Sequence, residues 1–108
     1  MDVKSFEKDG VRVFKVNGEI NLSTSPALKK QFEQTPSAKL LIDLEQVAYV
    51  DSSGLATLVE ILKKMKSKGG SLGLSGMSDK VRSLFEITKL DKLFLIVGSQ
   101  DEAVNRLQ

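Results

Sequence analysis

The two serines of the tetrapeptide Asp51-Ser52-Ser53-Gly54 are the residues of this sequence best placed to do chemistry. The apolar run 40–44 precedes the tetrapeptide, and an amphipathic segment that begins at Leu55 follows it. A small polar loop between a strand and a helix holds its side chains rigidly and opens them to solvent. Asp, Ser and Gly are also the usual residues of turns and helix caps, so the residue types alone favour a structural role.

The composition excludes several kinds of site. The 108 residues include no Cys and no His, so a thiolate nucleophile, a disulfide and the commonest general base and metal ligand are all missing. The Gly-rich stretch 69–76 lacks the Lys-Ser/Thr ending of a phosphate-binding loop and does not match the dinucleotide fingerprint. We therefore expect neither a metal nor a cofactor.

Charge and hydropathy limit the possible partners. The 16 Lys and Arg residues exceed the 14 Asp and Glu residues by only two charges, which is too little for strong binding to a phosphate backbone. The longest apolar stretch, 93–97, is far too short to cross a bilayer, and residues 1–6 hold no apolar core of signal-peptide length. We expect a cytoplasmic protein that binds no nucleic acid and does not insert into a membrane.

The first third of the chain predicts a hairpin followed by a helix. Residues 3–8 and 11–16 are rich in the residue types of strands, and Asp9-Gly10 between them is a strong hairpin-turn signal. Ser25 is predicted to cap the helix, with Pro26 in its first position, where the missing N–H costs nothing.

The middle of the chain predicts the centre of the fold. The run 40–44 is apolar at nearly every position, which is typical of an interior strand covered on both faces by helices. We interpret residues 45–50 as a short connection to the tetrapeptide. A helix should then begin at Leu55 and end at Gly69-Gly70. Five of its residues should face the core: Leu55, Leu58, Val59, Leu62 and Met65.

The remaining elements complete a sheet with helices packed on it. We predict strands at 71–75 and 94–97, a helix capped by Ser78, and a last helix that opens with a capping box at Ser99. Two hairpin strands followed by helix-strand alternation indicate an α/β fold with a mixed, mostly parallel β-sheet, an N-terminal hairpin and about four helices. Residues 1–108 are expected to form a single domain.

Characteristic motifs occur along nearly the whole chain. Gly18-Glu19-Ile20-Asn21 follows the second strand, and Leu41-Ile42-Asp43-Leu44 forms the central one. The most specific motif, Asp51-Ser52-Ser53-Gly54-Leu55, comes next, followed by Lys68-Gly69-Gly70 and Val81-Arg82-Ser83-Leu84-Phe85. In these motifs the sequence resembles the anti-sigma-factor antagonist family of STAS domains, and the resemblance implies the STAS-like fold.

The resemblance also implies a phosphorylation-controlled binding protein. In the family the first serine after the Asp is phosphorylated, which here is Ser52, with Ser53 as the backup acceptor. The partner is an anti-sigma factor that is also a serine kinase. The unphosphorylated form binds the anti-sigma factor and frees the sigma factor, whereas the phosphorylated form dissociates from the anti-sigma factor. A separate serine phosphatase restores the binding form, and the domain itself catalyses nothing.

The expected partner-binding residues lie around the phosphorylated serine. Asp51 should accept backbone N–H bonds as a cap, and Gly54 should allow close backbone approach or ease a turn. Many relatives have Asp where this chain has Asn21, and the neutral amide should repel a phosphate less. The full expected set is Asn21, Ser23, Thr24, Asp51, Ser52, Ser53, Gly54 and Leu55.

Two other functions stay open at this point. A STAS accessory module would bind another partner, such as a transporter or a sensory complex, without being phosphorylated, and a pull-down that returns no kinase would favour it. An enzyme with Ser52 as its nucleophile would need a general base. Nothing in the sequence pairs a lysine with that serine.

Overall fold

A computed structural model describes all residues, 1–108, and contains one five-stranded sheet and four α-helices. The strands are β1 (Asp2–Lys8), β2 (Val11–Ile20), β3 (Lys39–Val50), β4 (Ser71–Ser75) and β5 (Leu95–Val97). The helices are α1 (Ser25–Gln34), α2 (Ser52–Ser67), α3 (Asp79–Ile87) and α4 (Gln100–Leu107), and a 3₁₀ turn lies at Leu90–Lys92. None of the helices has the length and apolar character needed to cross a membrane.

The strands lie in the sheet in the order in which they occur along the chain, with β3 at the centre. β1 and β2 pair antiparallel and are connected by Asp9 and Gly10. The φ angles of these two residues, 51° and 83°, are both positive, as a type I′ hairpin turn requires. All later neighbours pair in parallel. The α/β class, the mixed and mostly parallel sheet, the N-terminal hairpin and the four helices are confirmed.

Helices cover both faces of the sheet. The larger core lies on one face, where α1, α2 and α3 pack, and includes the fully buried Phe14 and Leu58. The smaller core lies beneath α4 and includes Val13 and Val104. Neighbouring residues of β3 belong to different cores, because successive side chains of a strand point to opposite faces. This explains why the run 40–44 is apolar almost throughout.

β3 is longer than the sequence analysis predicted. Residues 45–50 are the second half of the strand and not a connection, and they pair with β2 as far as Ile20. Two register shifts in this pairing break the alternation of buried and exposed residues. Val47 and Val50 are buried, while the two residues before each of them are exposed. The buried residues therefore recur every third position and not every second, as they would in a regular strand. The tetrapeptide therefore follows β3 directly.

Helix caps agree with the predictions at α3 and α4 and differ at α1. The hydroxyls of Ser78 and Ser99 accept the N–H three residues further on, both at 3.2 Å. Ser25 was predicted to cap α1 but is its first residue, so Pro26 is the second. The Ser25 N–H donates to the Asn21 carbonyl at 2.8 Å, and this bond starts the first turn one residue early. The predicted last strand is also shorter, because it begins one residue later, at Leu95.

Candidate functional site

α2 begins inside the tetrapeptide, a turn earlier than predicted. Asp51 is the N-cap, and its Oδ1 accepts the Gly54 N–H at 2.8 Å. Ser52 and Ser53 are the first two residues of the helix. The prediction of a loop at 51–54 with a helix start at Leu55 is therefore wrong. The apolar periodicity begins only at Leu55, but a cap and a polar first turn suffice to extend the helix backwards.

Asp51 also ties α2 to the end of β2. Its second carboxylate oxygen, Oδ2, accepts the Leu22 N–H at 3.1 Å. Its own N–H donates to the Ile20 carbonyl, also at 3.1 Å. Both carboxylate oxygens thus accept backbone N–H groups, as the residue type predicts for a cap. The junction between β3 and α2 is consequently fixed to its neighbouring strand.

Gly54 lies where α2 passes closest to β2. A Cβ at this position would overlap the Ile20 carbonyl oxygen and lie 2.9 Å from both the Ile20 carbonyl carbon and Val50 Cγ1. Any larger residue must therefore push the helix away from the sheet. Gly54 and Leu55 are both buried, so these two offer the least surface among the residues expected to bind a partner.

Ser52 is exposed, whereas Ser53 is half-buried. Both lie in the first turn of α2, where N–H groups without intrahelical partners and the helix dipole favour an anion. A phosphoryl group on Ser52 would therefore point into solvent from a position that suits its charge. The hydroxyl is not enclosed in the core, which is the condition that the phosphorylation hypothesis imposes.

Asn21, Ser23 and Thr24 form a tight loop between β2 and α1. Asn21 Oδ1 accepts the N–H groups of Ser23 and Thr24, both at 3.0 Å. Thr24 Oγ1 accepts the Asn21 N–H and donates to the Glu19 carbonyl, both at 2.8 Å. The Asn21 amide also donates to Glu19 Oε1 at 3.2 Å. Local hydrogen bonding thus explains the polarity of Asn21 and Thr24, while Ser23 is the exposed member.

Leu22 connects this loop to the start of α2, and the sequence analysis did not single it out. Its backbone N–H is the donor to Asp51 Oδ2, and its side chain is 73% exposed. The structure thereby brings together the two parts of the predicted site. It also places a large apolar side chain on the surface of the connecting loop.

A groove runs along α2 away from Ser52, and the sequence analysis missed it. This α2 groove has a volume of about 380 Å³ and is lined by Leu55, Ala56, Val59, Glu60, Lys63 and Leu90. Val59 was predicted to face the core but is only half-buried. The spacing i, i+4, i+7 from Ser52 to Ala56 and Val59 is the signal that could have revealed the shared surface.

Ion pairs join the flank of α2 nearest α1 to that helix, and they include Glu60 from the edge of the α2 groove. Lys29 Nζ lies 2.9 Å from Glu60 Oε1, and Lys64 Nζ lies 3.6 Å from the same oxygen and 3.7 Å from Glu33 Oε2. The hydrogen bond and the charge of Glu60 raise the pKa of Lys29. The hydrogen bond from Lys29 lowers the pKa of Glu60. This side of α2 is therefore engaged within the molecule.

The sheet order, the N-terminal hairpin and the serine that follows the Asp51 cap at the start of α2 define the class of protein. The family model described as the STAS domain matches residues 3–103. The chain belongs to the STAS domain family.

Curated relatives match over almost the whole chain. The anti-sigma-B factor antagonist of Listeria monocytogenes is 35% identical over 105 residues, which cover 94% of this chain and 91% of the relative. The protein of the same name from Bacillus subtilis is 35% identical over 106 residues and covers 96% and 95%. The crystal structure of an anti-sigma factor antagonist from Mycobacterium paratuberculosis superposes with a TM-score of 0.89 at 29% identity, covering 98% of this chain and 92% of that one.

Proposed function

We propose that this protein is an anti-sigma factor antagonist whose binding is switched by phosphorylation of Ser52. The unphosphorylated chain binds an anti-sigma factor that is also a serine kinase, and this frees the sigma factor. Phosphorylation ends the binding, and a serine phosphatase reverses it. The observation that carries the proposal is the exposed Ser52 next to the Asp51 cap. It occurs in a chain 35% identical to proteins named anti-sigma-B factor antagonist.

A phosphate at this position changes the surface far more than the fold. It adds about 1.5 to 2 negative charges and three acceptor oxygens. The N-terminal end of α2 favours an anion. A partner surface shaped around a neutral hydroxyl meets both charge and bulk. A penalty of about 4 kcal/mol would weaken binding roughly a thousandfold. The switch therefore needs no conformational change in this chain.

The chemistry of the transfer belongs to the kinase in this proposal. The Ser52 oxygen forms a bond to the γ-phosphorus of ATP while the bond from that phosphorus to the ADP oxygen breaks. The hydroxyl proton passes to a base of the kinase, which also holds the nucleotide and Mg²⁺. This chain needs only to present the hydroxyl, and an exposed first helical turn does so.

The test is incubation with a candidate anti-sigma kinase and Mg-ATP, followed by mass spectrometry. We expect one phosphate on Ser52 in the wild type, none in Ser52→Ala, and normal incorporation in Ser53→Ala, the matched control one residue along the same turn. Ser52→Ala should also stay bound when ATP is added. Release of Ser52→Ala by ATP, or loss of the phosphate in Ser53→Ala alone, would show that Ser52 is not the switch.

A pull-down separates this function from the accessory module. Recovery of the kinase supports the antagonist role. Recovery of a transporter or sensory complex without a kinase would replace it with the alternative of a STAS module that is not phosphorylated.

A further inference from the structure

We propose that the anti-sigma factor docks along α2 and seats an apolar side chain, flanked by a carboxylate, in the α2 groove. This inference rests on the proposed function and names a second contact of the same interface. It assigns a binding role to Ala56, Val59 and Leu90, none of which was expected to contact a partner.

The α2 groove and Ser52 share one surface of the helix. Ala56, Val59 and Lys63 follow Ser52 at i+4, i+7 and i+11, so the four side chains form a stripe along α2. With a rise of 1.5 Å per residue, Val59 lies only about 10 Å along the axis from Ser52. A protein interface of ordinary size covers about 800 Å² on each partner. A partner centred on Ser52 thus reaches the groove.

The surroundings of α2 favour an approach from the groove side. On the flank facing α1, Glu60 and Lys64 are engaged with Lys29 and Glu33, and a partner covering that flank would have to desolvate these charges. On the groove side Ala56 is exposed, and Val59 is half-buried. Along α2 itself, the apolar surface next to Ser52 therefore lies on this stripe.

The lining of the α2 groove specifies the chemistry of its occupant. Leu55, Val59 and Leu90 give it an apolar floor and wall. Glu60 also lines the groove, but its carboxylate is paired with Lys29 and Lys64. Lys63 stands exposed at the far end of the stripe and lies within 4.0 Å of no acidic group. An aliphatic or aromatic side chain followed by an acidic residue matches this arrangement. Apolar anchors that fill pockets near the centre of an interface carry most of the binding energy.

The test is the affinity of the unphosphorylated chain for the anti-sigma factor, measured by calorimetry without ATP. Ala56→Glu keeps a good helix former at an exposed position and should weaken binding at least about tenfold, because it places a charge at the groove. Ala38→Glu is the matched control: an exposed alanine at the opposite end of β3 from Ser52. Lys63→Glu should weaken binding more at low salt than at high salt.

A second measurement follows the methyl resonances of the labelled wild-type chain in the complex. Those of Val59 and Leu90 should shift on binding, whereas Val104 and Leu107 beneath α4 should not. If the wild type binds but Ala56→Glu binds equally well, or the groove methyls stay unchanged, the groove inference is wrong and the antagonist role stands. If the wild type does not bind the anti-sigma factor at all, both proposals fall.

Discussion

At the scale of single residues, two side chains that do no chemistry determine how Ser52 is presented. Asp51 satisfies one N–H of α2 and one of the loop after β2. Gly54 lets the first turn of the helix touch the Ile20 carbonyl. Because its neighbours fix the backbone, the Ser52 side chain can stay exposed. The motif around Ser52 therefore divides into structural residues and one residue left free for a reaction.

Gly54→Ala should lower the free energy of unfolding by about 1–3 kcal/mol or more, because the added Cβ overlaps the Ile20 carbonyl and forces α2 away from β2. Urea denaturation measures the change. Gly98→Ala is the control, since a Cβ there meets no atom within 4 Å. Equal stability of the two variants would contradict the close contact between α2 and β2.

At the scale of elements, a buried carboxylate attaches α4 to the centre of the sheet. Asp43 is 1% exposed and lies in β3. Its Oδ1 accepts the Glu45 N–H at 2.9 Å, and its Oδ2 accepts the Gln100 side-chain amide at 2.6 Å. Gln100 is the first residue of α4. The helix that covers the smaller core is thus anchored at its start by one hydrogen bond to a charged group.

Gln100→Ala should destabilise the protein by about 1.5–3 kcal/mol, the usual range for a hydrogen bond to a charged group. The loss leaves Asp43 Oδ2 without this donor in a buried site. Chemical denaturation gives the free energy, and hydrogen exchange should show faster exchange in α4. Gln34→Ala, at the exposed end of α1, is the control and should change little. A stability loss no larger than that of the control would refute the anchoring role.

The sequence predicted the elements whose signals are local. Asp9-Gly10 specifies its turn by backbone preference, and Ser78 and Ser99 cap their helices with their own hydroxyls. The second half of β3 was missed because bulges in its pairing with β2 remove the period of two. The start of α2 was missed because its first turn is polar. The α2 groove depends on the 3₁₀ turn at Leu90–Lys92 packing beside α2, which no local pattern records.

At the scale of the whole molecule, surface ion pairs join elements that are distant in sequence. Lys8 of β1 pairs with Asp101 of α4, and Lys29 of α1 pairs with Glu60 of α2. The hydrogen bond from Lys8 lowers the pKa of Asp101, as that from Lys29 lowers the pKa of Glu60. These pairs are solvated, so each contributes modestly to stability. Both pairs make the stability of the protein depend on pH in the acidic range.

Acidification below about pH 4.5 should lower the melting temperature. A carboxylate with a lowered folded-state pKa stabilises the protein only while it is ionised. The contribution of Glu60 is complete above its ordinary pKa of 4.5 and is lost as the pH falls through the lower folded value. Glu60→Gln should therefore show a slightly smaller decrease in melting temperature between about pH 5 and about pH 3. The control is Glu45→Gln, an exposed residue within 4.0 Å of no cationic group. Identical acid profiles for Glu60→Gln and wild type would contradict the pairing.

The agreement between strand order and chain order bears on how quickly the protein folds. Each strand pairs with the strand that precedes it in the sequence. Its addition to the sheet therefore closes only the loop between these two consecutive strands. The entropy lost in closing a loop grows with its length, and folding slows when paired segments lie far apart in sequence. Refolding of this chain therefore avoids the delay of waiting for a distant strand to arrive between two others.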